Sequence, residues 1–316
     1  MNSINHAVTS VTLTCNKIRY LLLSQLKTTM QQNQSALIQL HIAVLMFGGT
    51  ALFSKLIALS ALDITVYRTA IAFLAIAVIL KLQKKHLRLN HLKDYFIVVG
   101  LGVIIGMHWV TYFAAMQMAG IATGIIAFFT YPVVTVLLEP LFNRTKLKPT
   151  DLFNSLVVIL GIYLMVPDAD LGNQVTLGIF TGVISGVFFA SRNLLQRKYF
   201  SGYGGPHTML YQTLTAACVL SIFVDTPPQA LPLQDMYYLI LAGIVFTAIP
   251  HSLFANSLRY LSATTAGLIS CLQPLYGTVL AYMLLSETTS MTTLIGGILV
   301  VSAACFETWS ITRNKR

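Results

Sequence analysis

Two histidines stand inside long apolar runs of this 316-residue chain, His108 in HWVTYFAAMQ and His251 in HSLFANSLRY. Imidazole titrates near neutral pH, so such a pair in a hydrocarbon-rich setting can take up and release protons. The commoner role of a buried histidine is a hydrogen bond between helices. Trp109, Tyr112, Tyr131, Asn256, Gln273 and Tyr276 lie in the same or neighbouring runs. Together they offer the aromatic faces and hydrogen-bonding groups of a small-molecule pocket; singly, each could be an interhelical bond or an interfacial anchor. Two cations complete the set, Lys55 and Arg68. An ionisable side chain within a membrane costs about 2.5–3.5 kcal/mol on insertion scales and needs a reason. Lys55 can snorkel to an interface or meet an anionic substrate. Arg68 can tie helices together or line a cavity. Arg192, Glu139 and Glu307 are read as boundary residues at the membrane interface.

Other chemistry finds no support. The four cysteines, Cys15, Cys218, Cys271 and Cys305, show neither metal-ligand nor CxxC spacing, and buried free cysteine is ordinarily a small packing residue. No intramembrane carboxylate pair, HExxH or phosphate loop argues for an enzyme. No catalytic residue, metal or cofactor is assigned, and without a nucleotide-binding motif any active transport must draw on an ion or solute gradient.

The elements that position these residues follow from composition. Hydrophobic residues make up 56% of the chain and charged residues only 9%, against about 25% charged in soluble domains, which excludes a water-soluble fold. Apolar stretches long enough to cross a bilayer, roughly 17–25 residues each, are read at 37–58, 63–80, 95–115, 121–142, 152–167, 176–196, 207–224, 236–256, 264–285 and 291–311. The fold class is therefore an all-α integral membrane protein of ten transmembrane helices. Residues 1–36 are polar and rich in Ser, Thr, Asn and Gln, and read as a disordered cytoplasmic segment with no secretory cleavage site; Met30 offers a second start.

The net charge of +10 is distributed for membrane topology and not for nucleic acid. With the N-terminal segment inside, 17 of the 20 basic residues fall on the cytoplasmic side: Lys17, Arg19 and Lys27, then Lys81, Lys84, Lys85, Arg88 and Lys93, then Arg144, Lys146 and Lys148, then Arg197, Lys198 and Arg259, then Arg313, Lys315 and Arg316. The outer loops carry Asp63, Asp168, Asp170, Asp225, Asp235 and Glu287. This positive-inside bias places both termini in the cytoplasm, in a membrane read as the bacterial inner membrane. The sequons at Asn33 and Asn143 then face the cytoplasm and are discounted.

The chain also repeats itself. Pro132 in IATGIIAFFTYPVVTVLLEPLF answers Pro274 in ATTAGLISCLQPLYGTVLAYML, Thr123 falls on Thr265, and Tyr131 on Gln273. His108 matches His251 with one residue of slippage, Tyr67 and Arg68 match Tyr211 and Gln212, and Gly49, Ser54 and Lys55 match Gly186, Ser191 and Arg192. Residues 37–167 and 176–311 thus read as two copies of a five-helix unit. Because each copy crosses the membrane an odd number of times, the second must be inverted, the arrangement of carriers that work by alternating access. A proline inside a membrane helix removes a backbone bond and kinks it, so Pro132 and Pro274 should face inward, as hinge points or as plain structural kinks. Gly178, Gly182 and Gly186, and likewise Gly102 and Gly106, mark close helix packing.

The stretch 255–287, ANSLRYLSATTAGLISCLQPLYGTVLAYMLLSE, resembles the second-repeat signature of the EamA family within the drug/metabolite transporter superfamily. FGGTALFSK, followed by VYRTAIAF, is similar to the family's first-repeat opening. The resemblance covers everything after residue 36 and implies a ten-helix bundle, both termini inside, carrying small metabolites, often as an exporter of amino acids or related compounds. Arg68 matches the arginine usual at its place. Glu287 matches the acidic end of the ninth helix, but its first-repeat counterpart is Thr145, which departs from a symmetric acidic pair. The function expected is a secondary transporter in a lipid bilayer, with a small-molecule substrate and protons as a candidate coupling partner; the alternatives are a passive facilitator or channel and an uptake permease.

Overall fold

Some prolines and glycines mark where helices stop or restart, Gly120, Pro132 and Pro274 among them, while others such as Pro140 and Gly182 stay inside continuous helices. The computed structural model describes residues 31–143, 149–166, 172–200, 202–257, 260–261 and 269–313. Residues 1–30, with Cys15, Lys17, Arg19, Lys27 and Met30, lie outside the described residues, as do Arg144, Thr145, Lys146, Lys148, Asp168, Asp170, Arg259, Thr265, Lys315 and Arg316.

The described chain is helical throughout. In order, α1 covers Gln31–Leu56, with a turn at 51–52; α2 Ala61–Leu82; α3 Leu92–Ala119; α4 Ile121–Phe128 and Tyr131–Asn143; α5 Pro149–Met165; α6 Gln174–Tyr199; α7 Gly205–Leu220; α8 Leu233–Gly243 continued by a π-turn and Ile249–Ser257; α9 Gln273–Leu285; and α10 Met291–Arg313. Among the described residues, six helices are long and apolar enough to cross a membrane: α1, α2, α3, α4, α6 and α8. The longest, α3, has 28 residues and spans about 42 Å at about 1.5 Å per residue, more than the roughly 30 Å of a bilayer's hydrocarbon. Residues 31–36, inside the stretch expected to be disordered, are helical.

The prolines do more than kink. Between Phe128 and Tyr131 α4 breaks in a two-residue turn, and a turn at 271–272 precedes Gln273 in α9. Pro132 and Pro274 each sit second in the helix that restarts, where a missing N–H costs nothing and the fixed φ suits a first turn. The expected mid-helix kinks are thus paired helix breaks. Pro274 is buried and Pro132 half-buried.

Matched residues of the two halves meet reciprocally. Tyr67 on α2 donates its hydroxyl to the Thr226 carbonyl after α7, while Tyr211 on α7 donates to the Leu87 carbonyl after α2 at 2.6 Å. Gly102 on α3 faces Thr215 on α7, and Gly243 on α8 faces Ile71 on α2. Gly186 on α6 lies against the backbone of the α4 break, and Gly48 on α1 against Gln273 and Gly277 of α9. At the crossing of α5 and α10, Gly161 lies against the Gly296 carbonyl and Gly296 against that of Gly161. The other expected packing glycines also stand at close approaches: Gly178 meets Ala119, Gly182 meets Ala127, and Gly106 meets Ala216.

Two sets of hydrogen bonds tie the loops at opposite ends. At one, Lys55 Nζ donates to the Gln117 carbonyl at 2.9 Å and Gln117 Nε2 to that of Leu59 at 2.9 Å. There too Asp63 accepts from the backbone of Asp225 and Thr226, each at 3.2 Å, and Asp235 accepts from the Ala58 amide at 3.3 Å. Glu287, presented by a left-handed Ser286 with φ 55°, accepts from the amides of Ile121 and Ala122 at 2.7 and 3.3 Å, the start of α4. Gly120, the single residue joining α3 to α4, has φ 88°, a conformation for which glycine alone pays no steric cost. At the other end Tyr203 donates to Asp94 at 2.5 Å, His207 Nε2 lies 2.6 Å from the Leu87 carbonyl, and Arg197 pairs with Glu139 at 2.5 Å.

Candidate functional site

Between the halves lies a cavity of about 600 Å³, within the roughly 300–1,000 Å³ usual for ligand sites. Its inner wall includes Thr50, Arg68, His108, Trp109, Tyr112, Tyr131, His251 and Gln273. From there it follows α6 through Phe189, Arg192, Asn193 and Gln196 to Arg197, Tyr203 and Gly205, where the Arg197 side chain is 58% exposed. The mouth is therefore at the basic end of α6, and the ties around Lys55, Gln117, Asp63 and Glu287 close the opposite end.

Two discontinuities shape the inner wall. The breaks in α4 and α9 deliver Tyr131 and Gln273, the repeat-related residues just before the two prolines, to the same cavity. In α8 the π-turn Ile244–Ala248 adds a residue to one turn, a device frequent at functional sites, and carries Thr247 to Arg68. Gly243 lets α8 approach the Ile71 side chain and the Arg68 carbonyl, leaving no room for a Cβ.

Arg68 is 1% exposed. Its Nη1 donates to Thr247 Oγ1 at 2.9 Å, and its guanidinium carbon lies 4.9 Å from the Trp109 ring centroid and 4.8 Å from that of Phe113, inside cation–π range. Nε and Nη2 are buried with no hydrogen-bond partner among the described residues. Arg192 is held by neutral groups: Nε donates to Gln212 Oε1 at 2.8 Å, Nη1 to Asn193 Oδ1 at 3.0 Å, and Nη2 faces Met209 Sδ at 3.4 Å. No aspartate or glutamate lines the cavity among the described residues.

His108 is fixed by Ser185. The Ser185 hydroxyl donates to the His108 carbonyl at 3.0 Å, so its one proton is engaged, and the 2.8 Å contact between His108 Nδ1 and Ser185 Oγ assigns the donated proton to Nδ1. That leaves Nε2 as the ring's acceptor. His251 packs against Phe47 and Trp109, with centroids 4.8 and 6.2 Å away. Phe128, Tyr131 and Phe189 form a ring cluster with centroid separations of 4.9–5.4 Å.

Of the residues singled out from sequence, Arg68, His108, Trp109, Tyr112, Tyr131, His251 and Gln273 share this cavity. Lys55, Asn256 and Tyr276 do not line it. Lys55 is exposed and closes the sealed end; Asn256 donates to Gln39 Oε1 at 2.7 Å, tying α8 to α1; and Tyr276 packs on Leu40 and Val44. Arg192, expected at the interface, instead lines the cavity. The spacing of Ser185, Phe189, Arg192 and Gln196 by four, three and four residues puts them on one helical stripe, the signal that could have found it. Glu139, expected at the boundary, pairs there with Arg197.

The family model for the EamA-like transporter family matches this chain twice, over residues 34–166 and 176–308. A protein of Archaeoglobus fulgidus named an uncharacterized transporter is 26% identical over 206 residues, 65% of this chain and 73% of its own. A Bacillus subtilis protein also named an uncharacterized transporter is 25% identical over 257 residues, 79% of this chain and 82% of its own. One solved crystal structure superposes on 87% of this chain and 98% of its own with a TM-score of 0.62 at 16% identity, a likeness of fold.

Proposed function

The chain belongs to the EamA-like transporter family, and from that premise we propose that it is a secondary carrier moving small metabolites across a membrane by alternating access. The observation that carries this reading is the cavity between the halves, open at one end and closed at the other by hydrogen bonds between loops.

Ten alternating passes would put the loops after α1, α3, α7 and α9 on one face, and the sealed end joins these four. The loops after α2 and α6 would share the other face, and Tyr203 bonds to Asp94 and to the Asn90 amide there. The reciprocal contacts of Tyr67 with Thr226 and Tyr211 with Leu87, and of Gly161 with Gly296, are those of a two-fold axis. With five helices in each unit, that axis lies in the membrane plane and the second unit is inverted. The cavity mouth lies on the basic side, which the positive-inside rule makes cytoplasmic. The described state is then inward-open, and its twin would exchange the roles of the two ends. Such related halves give two states of similar free energy, between which a substrate shifts the population.

Counterflow in proteoliposomes tests the reading: external unlabelled substrate should accelerate loss of internal label. Flux that saturates without exchange stimulation would support a passive facilitator instead. Coupling to protons would run through His108 and His251, the titratable imidazoles on the wall. Replacing His108 by glutamine is expected to leave exchange intact and remove the response of net uptake to an imposed pH gradient. Uptake by that variant that still follows the gradient would dismiss this histidine as the coupling group.

A further inference from the structure

Resting on the carrier reading, we propose that the cavity binds an organic carboxylate with a flat apolar body, in preference to a zwitterion or a cation. Three features argue for it. First, the wall carries three guanidinium groups, of which Arg197 at the mouth pairs with Glu139, and no aspartate or glutamate lines it among the described residues. Arg68 and Arg192 are bonded only to neutral atoms. Guanidinium stays protonated in proteins, so these two inner arginines place positive charge on the wall that no acidic side chain among the described residues balances, a costly arrangement away from water that a bound anion would relieve.

Second, the unpartnered atoms of Arg68 are Nε and Nη2. These two donors lie along one edge of the guanidinium plane, and that edge takes both oxygens of a carboxylate in parallel hydrogen bonds. The opposite nitrogen, Nη1, is engaged by Thr247, and the rings of Trp109 and Phe113 hold the group. The fork is fixed by its surroundings and its free edge is buried.

Third, the wall that would hold the rest of the molecule is aromatic: Phe128, Tyr131 and Phe189 pack edge to face and stacked. A flat apolar body can join this cluster, while its carboxylate reaches the arginines. An amino acid would bring its ammonium into the same cationic space with no carboxylate to receive it; an amine would bring only the repulsion.

Three probes with one phenylethyl body separate the possibilities: 3-phenylpropionate, phenylalanine and 2-phenylethylamine, respectively anion, zwitterion and cation at neutral pH. Titration calorimetry on the purified full-length protein is expected to rank 3-phenylpropionate at least tenfold tighter than the other two, about 1.4 kcal/mol. Arg68→Gln and Arg192→Gln should each lose at least tenfold of that affinity. Arg68→Lys should recover only part, since a point charge lacks the fork. Should Arg68→Gln not fold without its tie to Thr247, the Arg192→Gln variant and the wild-type ranking still decide. Phenylalanine or the amine binding as tightly as the acid, or no binding of the acid, overturns the proposal. Counterflow separates this outcome from that of the carrier reading. An acid that binds but is never exchanged leaves the site standing and removes the carrier; exchange of phenylalanine without the acid does the reverse.

Discussion

Replacing Glu287 by alanine is expected to open the sealed end of the cavity. Its carboxylate accepts from the Ile121 and Ala122 amides at 2.7 and 3.3 Å, at the start of α4, where unpaired N–H groups and the helix dipole both favour a negative charge. Losing the acceptor costs about 1–3 kcal/mol, and the cost falls on the described state alone if the loops after α3 and α9 separate in its twin. Between states of similar free energy a shift of about 1.4 kcal/mol is tenfold in population. A cysteine at Thr50, on the cavity wall, in a background without the native cysteines, should then react at least ten times faster with an impermeant maleimide added from the sealed side. Glu287→Gln keeps an oxygen acceptor and should show a smaller increase. Unchanged labelling in both variants would mean that Glu287 does not hold that end shut.

The second large effect concerns the crossing of α5 and α10. A Cβ at Gly161 would lie 2.8 Å from the Gly296 carbonyl and from Val300, and a Cβ at Gly296 would lie 2.4 Å from the Gly161 carbonyl. These obstacles are mostly backbone, so the helices must part. Gly161→Leu is expected to cost about 3 kcal/mol or more, the upper range for overpacking, and to lower the melting temperature in detergent by several degrees. The control is Gly100, where an added Cβ meets nothing within 4 Å: Gly100→Ala should be neutral or slightly stabilising, because alanine favours helix over glycine by about 1 kcal/mol. A Gly161→Leu protein that melts with the wild type would contradict the contact.

Much of the architecture was legible because it is written in one dimension. Apolar length predicted spans that match the observed helices within a few residues through most of the described chain. The duplication was legible in Pro132 and Pro274, and the family model indeed matches twice. The consequence of those prolines was not: a kink and a break with a fresh helix start share the same sequence signal, and the choice rests on whether the interrupted backbone can be packed against a neighbouring helix, as it is against Gly186 in α4 and Gly48 in α9. Lys55 and Arg192 illustrate the remaining gap. They are repeat-related, both sit near a helix end, and insertion cost treats them alike. Their surroundings differ, since Lys55 reaches the Gln117 carbonyl whereas Arg192 turns toward Gln212.

The amino-acid sequence by itself determined an all-helical membrane protein in two related halves, because hydrocarbon length, charge bias and internal repetition need no partner to be read. Which side chains meet in the cavity was decided only by the tertiary structure. A helix's rotation is set by what it packs against: Arg68 finds Thr247 across 179 positions of sequence, and no local pattern encodes that meeting.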